Sequence, residues 1–206
     1  MSIIAKLSFK DQAFKLREQA VLDATTRLLA SKGFDLMTMD DVAGEAGLSK
    51  PSLYKHFRSK EDLATEVMIR LLDGALDFLA AQDASLGPRA RLAGLLEWAL
   101  RVRLQGGLPF LPSTSPYVRN MLTRNLRYVT RALKLHKQLE RIVVKGKDRG
   151  ELRRDLPNDA LLYTYYSRTC DPAVDYLQLY GKYSDDDIVR QMLAVSFAGL
   201  SGADPI

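Results

Sequence analysis

The segment AGLSKPSLYKHFRSKEDL, residues 46–63, stops one helix and starts two more within eighteen positions. Gly47 supplies the turn after the first. Ser49 stands where a side-chain oxygen accepts from an open backbone N–H and so opens the second helix. Ser59 does the same for the third, with Asp62 as its partner three residues on. Between them Leu53 and Phe57, four residues apart, share one helical face. Turning that face inward places Pro51, Ser52, Tyr54 and Lys55 outward. Such a chain must brace a short helix from behind and present hydroxyls, a ring edge and cations on its other side.

The same grammar runs through the rest of the chain. Val21, Ala24, Leu28 and Leu29 recur at helical spacing, with Phe14 a heptad earlier. Lys32 falls in the last turn, Gly33 is a left-handed stop, and Phe34 is placed to fold back on Leu29. Thr38 and Asp41 form a capping pair for a short helix whose inward residues are Met39, Val42, Ala43 and Ala46. After Ser59 a helix runs to about residue 79, burying Leu63, Val67, Leu71, Leu72 and Leu76. Gly87 and Pro88 break the chain before a helix over 89–104. Residues 105–116, with two glycines and three prolines, read as an irregular connector. A single long helix is expected over 117–149, stopped by Gly150, and two more over 158–180 and 184–200. The last opens on Ser184 and Asp187. Pro172 sits awkwardly inside 158–180, where it should kink or break the helix. No strand, internal repeat or low-complexity tract is visible. The expected fold is all-α: a three-helix head over 1–60, with a leading arm over 1–12, joined to a larger helical bundle over 61–206.

Composition excludes several classes. Hydrophobic residues make up 47% and charged residues 27%, a globular balance. No apolar run reaches the roughly 18 residues of a membrane span, and the N-terminus lacks a small-residue cleavage site. Cys170 is the sole cysteine, so no internal disulfide forms and the reducing cytoplasm is expected. Net charge is +5, and its excess lies at the N-terminal end. Residues 1–60 hold ten Lys/Arg against seven Asp/Glu, while the remainder holds 20 against 18. Catalysis is not expected. Only His56 and His136 are available, and no metalloprotease motif, phosphate loop or nucleophile elbow occurs.

Two helices joined by a turn at Gly47 have helix-turn-helix spacing, in which the second helix enters a DNA major groove. Leu48 can pin the turn, and Lys50 begins the reading helix, where backbone N–H groups also favour phosphate. Residues 17–68, REQAVLDATTRLLASKGFDLMTMDDVAGEAGLSKPSLYKHFRSKEDLATEVM, resemble the N-terminal domain of the TetR family of transcriptional regulators. The resemblance rests on Gly33-Phe34, Thr38, Val42-Ala43, the turn from Ala46 to Ser49, Leu53-Tyr54, His56-Phe57 and the run from Ser59 to Leu63. Carried over by position, it implies that Thr38, Lys50, Pro51, Ser52, Tyr54, Lys55 and His56 lie at the DNA surface and Lys60 on the phosphate backbone. Gly44 departs from good helix composition, at about 1 kcal/mol against alanine. His56 lies on a flank, so a packed side chain and a phosphate contact are both open. Lys6, Lys10, Lys15 and Arg17 either track phosphates or belong to a frayed end.

For the bundle, the resemblance implies a homodimer reading a palindromic operator and a pocket for a small-molecule effector. Interface candidates are Leu162, Tyr165, Thr169, Ile188, Met192, Val195 and Phe197. Pocket candidates are Trp98, Arg101, Phe110, Tyr117, Met121, Tyr163, Tyr166 and Cys170; each could equally be core, and Arg101 could simply reach solvent. The implied function is a ligand-responsive repressor released from its operator by the effector, with no other cofactor, no metal and no membrane partner. An activator or a ligand-independent regulator would read the same in sequence.

Overall fold

A computed structural model describes residues 9–107 and 115–198, with ten helices and no strand among them. The chain divides into two compact units, 1–67 and 68–206, with the boundary inside a continuous helix. That boundary lies several residues beyond the one drawn at residue 60. The first turns of this helix belong to the head because Leu63 is part of the head's core.

In the first unit, α1 (Phe9–Leu36) carries Gly33 at φ 75°, so the regular helix ends where the left-handed residue stands. α2 (Met39–Glu45) starts in a full capping box: the Asp41 N–H donates to Thr38 Oγ1, and the Thr38 N–H to the Asp41 carboxylate. Gly47, at φ 66°, makes the turn to α3 (Lys50–Tyr54), which Ser49 caps. α4 (Lys60–Ala81) starts with Asp62 N–H donating to Ser59 Oγ. The core these elements enclose is Val21, Leu28, Met37, Val42, Ala43, Leu53, Phe57 and Leu63. Met37 is fully buried there, although it lies between helices where periodicity gives no cue.

In the second unit, α5 (Pro88–Leu104) is central and packs against α7 (Leu126–Asp148), α8 (Asn158–Thr169) and α10 (Asp185–Ala198). α6 (Pro116–Thr123) packs on α7, and α9 (Ala173–Tyr180) on α10. Two expectations are corrected. The helix over 117–149 is two helices: the Asn125 side chain accepts from Tyr128 N–H and caps α7, so the chain restarts after Thr123. The helix over 158–180 is also two, α8 and α9, because Pro172 ends the α8 direction and leads into α9. Arg103 reaches this break from α5. Its guanidinium donates to the carbonyls of Thr169 and Asp171 and pairs with Asp175 at 2.6 Å. Gly150, at φ 71°, stops α7, and Ser184 with Asp187 caps α10.

Candidate nucleic-acid interface

α3 is only five residues long, so its position depends on what lies behind it. Leu53 is fully buried and Phe57 nearly so, both in the core shared with α1 and α2. Their burial leaves Lys50, Pro51, Tyr54 and Lys55 exposed, with Ser52 half-buried at the edge. Tyr54 is 46% exposed, too much for a core aromatic. It stands one turn from Lys50 on the same exposed face. These side chains form the outward face that the sequence requires.

Three ion pairs organise the charge on α2. Glu45 accepts from Arg27 and Asp41 from Lys32, each at 2.9 Å, tying α2 to α1. Asp40 points the other way, to Lys50 at the start of α3, at 2.8 Å. Hydrogen bonds from Lys32, then from the hydroxyl and backbone N–H of Thr38, hold the Asp41 carboxyl down at about 2. Thr38 is exposed, but its hydroxyl already donates to Asp41 at 2.9 Å.

Two expected DNA contacts turn inward. Lys60 donates to the carbonyls of Phe34 and Asp35 and lies 4.6 Å above the Phe34 ring, so it closes the C-terminal end of α1. His56 is half-buried, with its ring 4.1 Å from that of Phe14, and its Nδ1 is buried without a hydrogen-bond partner. The packed alternative therefore holds for His56. Of the arm cations, Lys15 and Arg17 are exposed on α1, while Lys6 and the side chain of Lys10 lie outside the described residues.

The pocket candidates are scattered. Trp98 is half-buried against Gly74 and the ring of Phe78, and Met121 and Cys170 are half-buried. Tyr166 is buried and shares a hydrogen bond with His136 Nδ1, and burial raises its phenol pKa. Tyr117 and Tyr163 are more than half exposed. Arg101 is already bridged to Glu97 and Asp186, at 2.9 and 2.7 Å, which joins α5 to α10 and removes it as a free cation for an anionic ligand. Phe110 lies outside the described residues. An open groove of about 500 Å³ runs between α5 and α10, lined by Ala90, Ala93, Leu193, Ala194 and Phe197 among others, and contains none of the pocket candidates.

Most interface candidates are corrected. Leu162, Tyr165, Thr169, Ile188 and Met192 are buried inside the second unit and leave no surface for a second copy. Tyr165 also donates its hydroxyl to the Leu92 carbonyl at 3.0 Å, locking α8 onto α5. Val195 and Phe197 remain half-exposed. Exposed apolar surface that the sequence reading missed sits on α9, where Tyr176, Leu179 and Tyr180 are 63%, 73% and 80% exposed. An unbroken helix over 158–180 would have given α9 a different facing, so Pro172 was the available signal.

Known proteins share both levels of this organisation. A family described as bacterial regulatory proteins, tetR family, matches residues 21–67. The chain is 26% identical over 191 residues to the HTH-type transcriptional repressor KstR2 of Mycobacterium tuberculosis, covering 90% of this chain and 93% of that one. The structure of the M. tuberculosis ketosteroid regulator KstR2 superposes with a TM-score of 0.61 at 21% identity, over 91% of this chain and 96% of that one. That of FadR from Bacillus subtilis in complex with stearoyl-CoA gives 0.61 at 15% identity, over 89% and 99%. The capped helix-turn-helix and its braced, cation-bearing α3 lie within the residues that match the tetR family of bacterial regulatory proteins, so over 21–67 this chain resembles the helix-turn-helix domain of those regulators.

Proposed function

We propose that the protein is a repressor that holds a palindromic operator as a homodimer in the cytoplasm and releases it when a hydrophobic small molecule binds its second unit. The observation that carries the reading is the division of α3 into a buried Leu53–Phe57 edge and an exposed Lys50–Tyr54–Lys55 face. Lys55 on that face supplies sequence-independent, salt-sensitive attraction to phosphates. Tyr54, Ser52 and Lys55 supply base contacts at roughly 1–3 kcal/mol each. Five residues of helix reach few bases, so two copies on one twofold axis are needed for a long site.

The half-exposed Val195 and Phe197 and the exposed aromatic surface of α9 support a dimer contact on the second unit. The relatives' names, a ketosteroid regulator and a FadR bound to stearoyl-CoA, support an effector with a large apolar body, steroid-derived or acyl. Half-buried Trp98, Met121 and Cys170, with Tyr166, would contribute to its wall. Effector binding acts by favouring the head arrangement that does not fit the operator. A coupling of about 1–3 kcal/mol lowers operator affinity about 5–150-fold. α4 is the continuous element through which this reaches the head.

The test begins with selection of bound fragments from genomic DNA, followed by fluorescence anisotropy on the recovered operator. Titration with long-chain acyl-CoAs and with ketosteroids should release the DNA for one of the two classes. Binding that no ligand of either class alters leaves a ligand-independent regulator. A transcription assay showing activation on operator binding would replace repressor with activator.

A further inference from the structure

Lys50 is the first residue of α3 and its most prominent outward cation, yet it is already occupied. Its ammonium donates to one carboxylate oxygen of Asp40 at 3.0 Å and lies 2.8 Å from the other. Asp40 lies in the first turn of α2, with its side chain 67% exposed against 52% for Lys50, so the pair faces outward. The other two acids of α2 point back to α1, at Lys32 and Arg27. Asp40 alone of the three reaches forward to the DNA-facing helix. The hydrogen bond from Lys50 to Asp40 is also the main reason that the ammonium is held above its ordinary pKa, followed by the Asp40 charge.

We propose that Asp40 is a specificity-determining residue: its carboxylate occupies Lys50 in place of a phosphate, and so keeps this cation off duplex that lacks the operator's other contacts. The inference rests on the DNA-binding reading of α3. A phosphate oxygen and a carboxylate oxygen are comparable acceptors for an ammonium at this exposure. Exchanging one for the other on arbitrary DNA therefore yields little net attraction, and an exposed pair of this kind is worth little in either direction. On arbitrary duplex Lys50 stays with Asp40 and releases no counterion. On the operator, the contacts of Tyr54, Ser52 and Lys55 fix the head close enough for Lys50 to leave its partner for a base or phosphate. Non-operator binding is thereby held down, and with it the salt dependence of that binding, since each phosphate neutralised adds about 0.9 to the slope of log affinity against log salt.

The experiment measures anisotropy of a scrambled-sequence duplex over a salt series for the full chain and for Asp40→Asn, Lys50→Ala and the double variant. Thermal melting checks that each is folded. Asp40→Asn should bind the scrambled duplex about two- to fivefold more tightly per head, with a slope steeper by about one ion per head. In the Lys50→Ala background the same change should do almost nothing. An unchanged affinity and slope in Asp40→Asn overturns the proposal. So does a gain of equal size with and without Lys50, which would make Asp40 a general repulsive charge. If the wild-type chain itself shows no salt-dependent binding to any duplex, the DNA-binding reading fails first, and the two failures are distinct.

Discussion

Leu53 and Tyr54 are neighbours in the chain with opposite environments, one wholly buried and the other nearly half exposed. Their substitution should therefore separate folding from recognition. Leu53→Ala leaves a cavity behind α3 and is expected to cost about 2–5 kcal/mol, read as a fall in the head's denaturant midpoint, with operator binding lost as a consequence. Tyr54→Ala should leave that midpoint nearly unchanged and cost about 1–3 kcal/mol of operator binding. Asp41 carries a pH dependence of known sign. Its carboxyl lies below the unfolded value of 3.8, at about 2, so the folded head binds fewer protons there. The stability it contributes is present above the unfolded value and is lost as pH falls through the folded one. Comparing wild type with Asp41→Asn in acid melts should show a gap that closes between about pH 4 and 2. Single side chains were legible in the sequence where burial followed a short-range period, as at Leu53 and Phe57. They were not where a distant segment decided the outcome: His56 packs on Phe14 of α1, and Lys60 binds carbonyls 25 and 26 residues away.

Helix starts were legible because caps are local chemistry. Thr38 with Asp41, Ser49, Ser59 with Asp62, and Ser184 with Asp187 all serve as read. Asn125 was missed because strong periodicity on either side of it reads as one continuous helix, and an asparagine within such a run carries no sign of which backbone N–H it will meet. Pro172 was seen as a disturbance, but sequence alone could not say how the break is held. The structure answers with Arg103, whose side chain is 12% exposed and whose donors meet the Thr169 carbonyl at the end of α8 and the Asp171 carbonyl, which also accepts the Val174 N–H. Removing that guanidinium takes a partner from both carbonyls, so Arg103→Met should cost about 1–2 kcal/mol. The loss should appear in hydrogen exchange as faster opening of α8 and α9, with the head's amides unaffected.

For the whole molecule, the layout of a small head followed by a larger bundle was readable, but the outer surface was not. Leu162, Tyr165, Ile188 and Met192 looked like a stripe available to a second copy, yet α5 takes that stripe for the protomer's own core. Phe197, half-exposed beside the groove between α5 and α10, is the better handle on assembly. Phe197→Asp places a charge on that surface. For the proposed homodimer, it should shift sedimentation from dimer to monomer and weaken operator binding together, while leaving the protomer's melting largely intact. A variant that remains dimeric would move the contact elsewhere, with the exposed tyrosines of α9 the next surface to probe.

By itself the sequence determined the helical class, the order of most elements and the outward chemistry of α3. Caps, stops and amphipathic period act over a few residues and need no knowledge of the rest of the chain. The tertiary structure decided which apolar stripes become core, which cations are already neutralised and where the penultimate helix breaks. Those outcomes depend on partners tens of residues away, as Asp175 is from Arg103 and Asp186 from Arg101. Such pairings are set only when the chain has closed on itself.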